Sequence, residues 1–173
     1  MGGIFSKRDK APPALPAPLR VVLDVHVAKA CHLMVVHRVP DAIEASGGTI
    51  DLPTLLTKTS IATEDYLYRL LRCCESQGIF SVRRQDSDDV VTVTNTPSSM
   101  MLVRDAPNSL APMILHAMHE SALALNHLDD LVTSKDASKT TAWDFYSKIP
   151  YWAWLDQEEQ RETLKTFNTL MVG

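Results

Sequence analysis

With 173 residues, 45% of them hydrophobic and 22% charged, the chain has the composition of a soluble globular protein that can bury one core. Its formal net charge of −4 argues against the clustered positive surface that nucleic-acid binding relies on, and no apolar run approaches the roughly 20 residues needed to cross a bilayer. The three cysteines, Cys31, Cys73 and Cys74, are odd in number and two are adjacent, so a disulfide framework is excluded and a reducing, cytoplasmic setting is expected.

In chain order, residues 1–18 read as a disordered, Pro-rich leader and residues 19–173 as one domain. The opening residues, Met1 to Ser6, fit the pattern for N-myristoylation at Gly2 once Met1 is removed. Lys7, Arg8 and Lys10 would then add attraction to an anionic membrane surface, and association with a membrane is expected only if Gly2 is acylated. Short motifs of this kind match often by chance, so a plain leader is the reading to beat. A long helix is expected from Leu19 to about Val39, apolar on most sides and ended by Pro40. A short turn at Asp41 leads to Gly47-Gly48, and Asp51 with Pro53 opens a helix whose Leu52, Leu55 and Leu56 face inward.

The clearest pattern lies between Ser60 and Phe80. Leu67, Leu70, Leu71 and Cys74 fall at i, i+3, i+4 and i+7, which lines one face of an α-helix. Thr63 is its expected N-cap, Glu64 and Asp65 complement the helix dipole, and Gly78 supplies a left-handed stop. The period then shortens: Phe80 and Val82, and again Val91 and Val93, flank a polar turn at Asp88-Asp89. The fold class that follows is mainly α, a winged helix-turn-helix with a small β-hairpin and additional long helices. Downstream, a short helix is expected near Pro97 and one long helix from Leu110 to Val132, with Ile114, Met118, Leu125 and Leu128 on its stripe. An aromatic cluster, Trp143, Phe145, Tyr146, Tyr151, Trp152 and Trp154, precedes a last helix from Gln157 to Leu170.

Chemistry-bearing constellations are sparse. His116 and His119 sit three apart beside Glu120, but a metal site needs three or four converging ligands, and solvent-facing histidines on an amphipathic helix are the commoner explanation. Cys31-His32 and Cys73-Cys74 lack metal-ligand spacing. No nucleophile elbow, phosphate loop or strand–helix alternation is present. A helix-turn-helix invites a DNA-binding regulator as an alternative reading. The residues that would enter a groove, however, are Thr63, Glu64, Asp65 and Tyr68, and two carboxylates there repel phosphate.

The order of the segments resembles the N-terminal dimerisation domain of plant- and fungal-type SAM-dependent O-methyltransferases, the caffeate and hydroxyindole O-methyltransferase group. The resemblance rests on Val36 to Ile43 (VHRVPDAI), Leu52 to Thr59 (LPTLLTKT) and, most of all, Tyr66 to Phe80 (YLYRLLRCCESQGIF). Val93 to Leu102 and Trp143 to Met171, with Phe167-Asn168 and Met171 in place, continue it. Ser147-Lys148 departs from the family, which often has a glycine there. Family members go on into a Rossmann-like domain that holds SAM and the catalytic base, which this sequence does not reach. No catalytic, cofactor-binding or metal residue is therefore carried over, and SAM would enter only with a supplied catalytic domain.

What the resemblance implies is association, as a homodimer or as a heterodimer with a full-length O-methyltransferase. Val22, Val25, Leu33, Val36, Ile114, Met118 and Leu125 are the candidate interface, because the two longest helices carry more apolar surface than a small core absorbs. Trp143, Phe145, Tyr151, Trp152 and Trp154 would either line part of an acceptor pocket in a complete enzyme or staple the C-terminal helices to the core. Stapling is the commoner use of large aromatics. A truncated or split O-methyltransferase, or a non-methylating relative in natural-product metabolism, is the enzyme-class alternative.

Overall fold

The structure, a computed structural model, describes residues 15–84 and 90–172. Gly2, the basic residues after it and the Asp88-Asp89 turn lie outside the described residues, as does most of the Pro-rich leader.

Helix α1 spans Ala17–Val36 and begins two residues before the expected Leu19. Pro18 sits in its first turn, where a missing N–H leaves no hydrogen bond unmade, so part of the supposed spacer is helical. Only one side of its C-terminal half is buried, through Ala30, Cys31, Met34 and Val35, together with His32. Pro40 does not simply stop the chain. Arg38 adopts a left-handed φ of 54°, and a second helix, α2 (Val39–Glu44), opens with that proline in its first turn. Gly47 and Gly48, with φ of 86° and 84°, then turn the chain through a conformation that side chains with a Cβ rarely adopt.

A three-residue strand, β1 (Thr49–Asp51), follows, too short to leave a period in the sequence. Its last residue is also the N-cap of α3 (Leu52–Thr57): Asp51 Oδ1 accepts the Thr54 N–H at 2.8 Å. Helix α4 (Glu64–Glu75) is capped by Thr63, whose Oγ1 accepts the Tyr66 N–H, and buries Leu67, Leu71 and Cys74. Gly78, at φ 70°, releases the chain into β2 (Phe80–Arg84), which pairs antiparallel with β3 (Val91–Asn95). β1 takes the other edge of β3, giving the order β1-β3-β2, with Val93 opposite both Ile50 and Val82. The expected hairpin is thus two strands of a three-stranded sheet. Thr96 and Ser99 form a reciprocal capping box at the start of α5 (Pro97–Met100). Phe80, Val82, Val91 and Val93 meet the inner faces of α1, α2, α3 and α4 in one core.

The expected long helix from Leu110 to Val132 is broken twice, into α6 (Ala111–Met118), α7 (Glu120–Leu125) and α8 (Leu128–Thr133). At the first break His119 takes φ −113° and ψ −99°, outside helical values. The corner lets α6 pack between α1 and α11 while α7 turns onto α9. Those partners are α9 (Trp143–Tyr146) and α11 (Arg161–Val172), with α10 (Tyr151–Leu155) between them. The last helix starts later than expected, after a short 3₁₀ turn at Glu158–Gln160.

Candidate functional site

Two surfaces gather the chemistry. The first is the outer side of α1, where Val21 is 64% exposed, Val22 55% and Val25 60%, with Leu19 and Leu23 beside them. Residues 15–26 are exposed without exception, so this half of the helix projects from the body. Of the residues singled out for an interface, Val22 and Val25 lie here; Val36 is exposed at the far end of α1, beside α6 and α11, and Leu33 is half-buried. Leu125 is exposed at the end of α7, joined by Leu128 and Val132 on α8. Ile114 is different: it packs against the chain's own core, and Met118 is half-buried.

The second surface is an open cleft of about 680 Å³ between α6–α7 and α10–α11, lined by Trp143, Tyr151, Trp152, Phe167 and Met171, with His116, Glu120 and Ser121 on its floor. The rings contact one another edge to face, Trp143 on Tyr151 at 5.1 Å, Tyr151 on Trp152 at 5.2 Å and Trp152 on Phe167 at 5.5 Å between centroids. Trp143 is buried and its Nε1–H donates to the Ile149 carbonyl at 2.9 Å, which fixes the ring. Trp154 packs behind it, tilted, at 4.8 Å between centroids, and Phe145 is half-buried outside the lining. Three of the five aromatics singled out from sequence therefore line the cleft, one backs it, and Phe145 does neither.

In the sequence Glu120 stands out only as a neighbour of two histidines. In the fold it is buried, with Oε1 accepting from His116 Nδ1 at 2.7 Å and Oε2 from His119 Nδ1 at 3.2 Å. His116 Nε2 lies 3.0 Å from Ser121 Oγ. His116 is not a free surface histidine, and the i, i+4 spacing of His116 and Glu120 is the signal that could have found the pair. Phe167 and Met171 enter the cleft from the last helix, whose apolar side was legible but not its partner. Among the described residues no cluster of His, Cys, Asp or Glu can hold a metal ion. His32, buried on α1, accepts from Lys29 Nζ at 3.3 Å. Burial first, then the nearby Lys29, His119 and His37, push its pKa down to about 4.

Helices α3 and α4, the pair expected to form a helix-turn-helix, offer little to a phosphate backbone. Arg69 is paired with Asp65 at 3.0 Å and Arg72 with Glu75, each on α4 itself, while Glu64 and Asp65 occupy the first turn. Among the described residues no helix is long and apolar enough to cross a membrane.

Residues 20–105, which run from α1 through α5, match the family model for the O-methyltransferase dimerisation domain. This chain carries an O-methyltransferase dimerisation domain. Its relatives include the isoflavone 4'-O-methyltransferase of Lotus japonicus, 26% identical over 78% of this chain, and the desmethylxanthohumol 6'-O-methyltransferase of Humulus lupulus, 32% identical over 65%. The chain spans 39% and 36% of the lengths of those two enzymes. Among solved structures, the N,N-8-amino-8-demethyl-D-riboflavin dimethyltransferase from Streptomyces davawensis superposes with a TM-score of 0.73 over 91% of this chain and 45% of its own, at 20% identity. Human N-acetylserotonin methyltransferase superposes with a TM-score of 0.68 at 18% identity, over 87% of this chain and 44% of its own. At these identities the superpositions speak for the fold alone. They extend it past the dimerisation domain, since 91% of the chain includes helices on the cleft side.

Proposed function

We propose that the chain works as an association module, pairing with a second copy of itself through the outer face of α1. The carrying observation is the exposed valine row, Val21, Val22 and Val25, on a helix whose first half is exposed residue by residue among the described residues. Single exposed apolar residues are ordinary, but a contiguous row on a projecting helix of a dimerisation domain needs a cover. Leu125, Leu128 and Val132 give a second strip that would meet the partner. A surface used by two identical copies is self-complementary, so the matching domain of a full-length O-methyltransferase could take the place of one copy.

Light scattering behind size-exclusion chromatography tests the reading. The whole chain elutes as a dimer, and the double variant Val22→Asp with Val25→Asp elutes as a folded monomer. A monomeric wild type at micromolar concentration refutes the proposal. Mixing with a tagged full-length O-methyltransferase of the same group tests the mixed pair: co-elution supports it, separate peaks remove it.

A further inference from the structure

The aromatic cleft holds a charge as well as rings. Glu120 is 2% exposed and lines the cleft, while no lysine or arginine does. Its two histidine contacts occupy one lone pair on each oxygen, and a carboxylate has about four acceptor positions. Above it stand Tyr151, Trp152 and Phe167, with Tyr151 and Phe167 6.2 Å apart and Trp152 5.5 Å from Phe167. Aromatic faces are the negative side of the ring quadrupole, and they attract cations most strongly where water is excluded. The Tyr151 hydroxyl is buried and makes no hydrogen bond among the described residues. Burial first, and the Glu120 charge second, push its pKa up to about 12, so this hydroxyl stays a proton donor.

Two simpler uses of these rings leave part of the arrangement unexplained. Stapling accounts for Trp143 against Trp154, but not for Trp152, which is 63% exposed at the rim. A purely apolar acceptor wall has no use for a buried carboxylate on its floor. We propose that the cleft binds a small organic ammonium ion bearing an aromatic ring, the ring among Tyr151, Trp152 and Phe167 and the ammonium directed to Glu120. The volume of about 680 Å³ suits a ligand of that size. The inference stands on the cleft alone and goes beyond the association reading.

The test titrates phenethylammonium and its uncharged counterpart 2-phenylethanol into the full chain near neutral pH, reading tryptophan fluorescence. The cation should bind about tenfold more tightly than the alcohol, the scale of a charge-assisted hydrogen bond to a carboxylate. Glu120→Gln should bring the cation down to the affinity of the alcohol and leave the alcohol where it was. Because that variant could disturb the α6–α7 corner, Trp152→Ala at the exposed rim is the second probe, expected to weaken both ligands with thermal unfolding unchanged. Equal affinities in the wild type, no binding of either probe, or a cation preference surviving Glu120→Gln would each overturn the proposal. The association state of the same samples is read independently, so failure here leaves the dimer reading untouched.

Discussion

His32 and Arg104 show how single side chains hold α1 to the rest of the molecule. His32 is buried and accepts a hydrogen bond from Lys29, which requires its Nδ1 to be unprotonated. Its folded pKa of about 4 lies below the ordinary 6.5. The unfolded chain therefore binds a proton first as pH falls, so the contribution is fully present above about 6.5 and is lost between there and about 4. Denaturant titrations across that window should show stability falling, and His32→Gln should flatten this part of the slope by on the order of 2 kcal/mol. A variant with the wild-type slope would show that His32 is not desolvated. Arg104 acts differently: Nη2 donates to the carbonyls of Val35 at 3.0 Å and Val36 at 3.3 Å, at the C-terminal end of α1. Its backbone N–H is accepted by Asp41 Oδ1 at 3.2 Å, which ties the same residue to α2. Arg104→Met should destabilise the fold by about 1–2 kcal/mol, lowering the melting temperature by roughly 2–8 °C.

At the scale of elements, the corner between α6 and α7 is the feature with most to explain. A straight helix through Glu120 would keep α7 on the line of α6, which already packs between α1 and α11. Turning at His119 instead carries α7 onto α9, and Glu120 is held at the bend by His116 and His119. Glu120→Ala removes the acceptor that both rings share. Amide exchange should then quicken across α7 by roughly tenfold, the effect of losing about one buried hydrogen bond, while α4 keeps its protection; unchanged exchange in α7 would show that packing alone sets the corner. The contrast with α4 explains what the sequence could reveal. In α4 the cap at Thr63, the apolar face of Leu67, Leu71 and Cys74, and the stop at Gly78 are all local signals, and each appears where expected. The α6–α8 segment has a continuous helical stripe and no proline or glycine at its breaks, because long-range packing makes them. β1 was hidden for a related reason, since three residues carry no period and its pairing is with a strand more than forty residues away. The aromatic residues were legible as a cluster, but the fold alone shows which of them face a cleft and that a buried carboxylate sits beneath them.

For the whole molecule, the projecting half of α1 decides whether stability belongs to one chain or to a pair. The fully buried residues of the helix start at Ala30, and the twenty-residue rod extends well beyond them toward Ala17. An isolated helical arm of that length is marginal in water, since most helical stability comes from packing an apolar face. If a second copy covers it, folding and association are linked, and dilution acts as a destabilising agent. A tenfold dilution changes the free energy of a dimer by about 1.4 kcal/mol relative to unfolded monomers. Unfolding a dimer releases the entropy of two chains of this size, so that lowers the melting temperature by about 2 °C. A monomer shows no shift, and the Val22→Asp, Val25→Asp double variant should behave as that monomer. The variant should also lose helical circular dichroism in proportion to the uncovered half of α1, while the core around Leu71 and Phe80 keeps its cooperative transition. A wild-type transition that stays at one temperature across a hundredfold dilution would place the valine row in solvent and remove the reason for a partner.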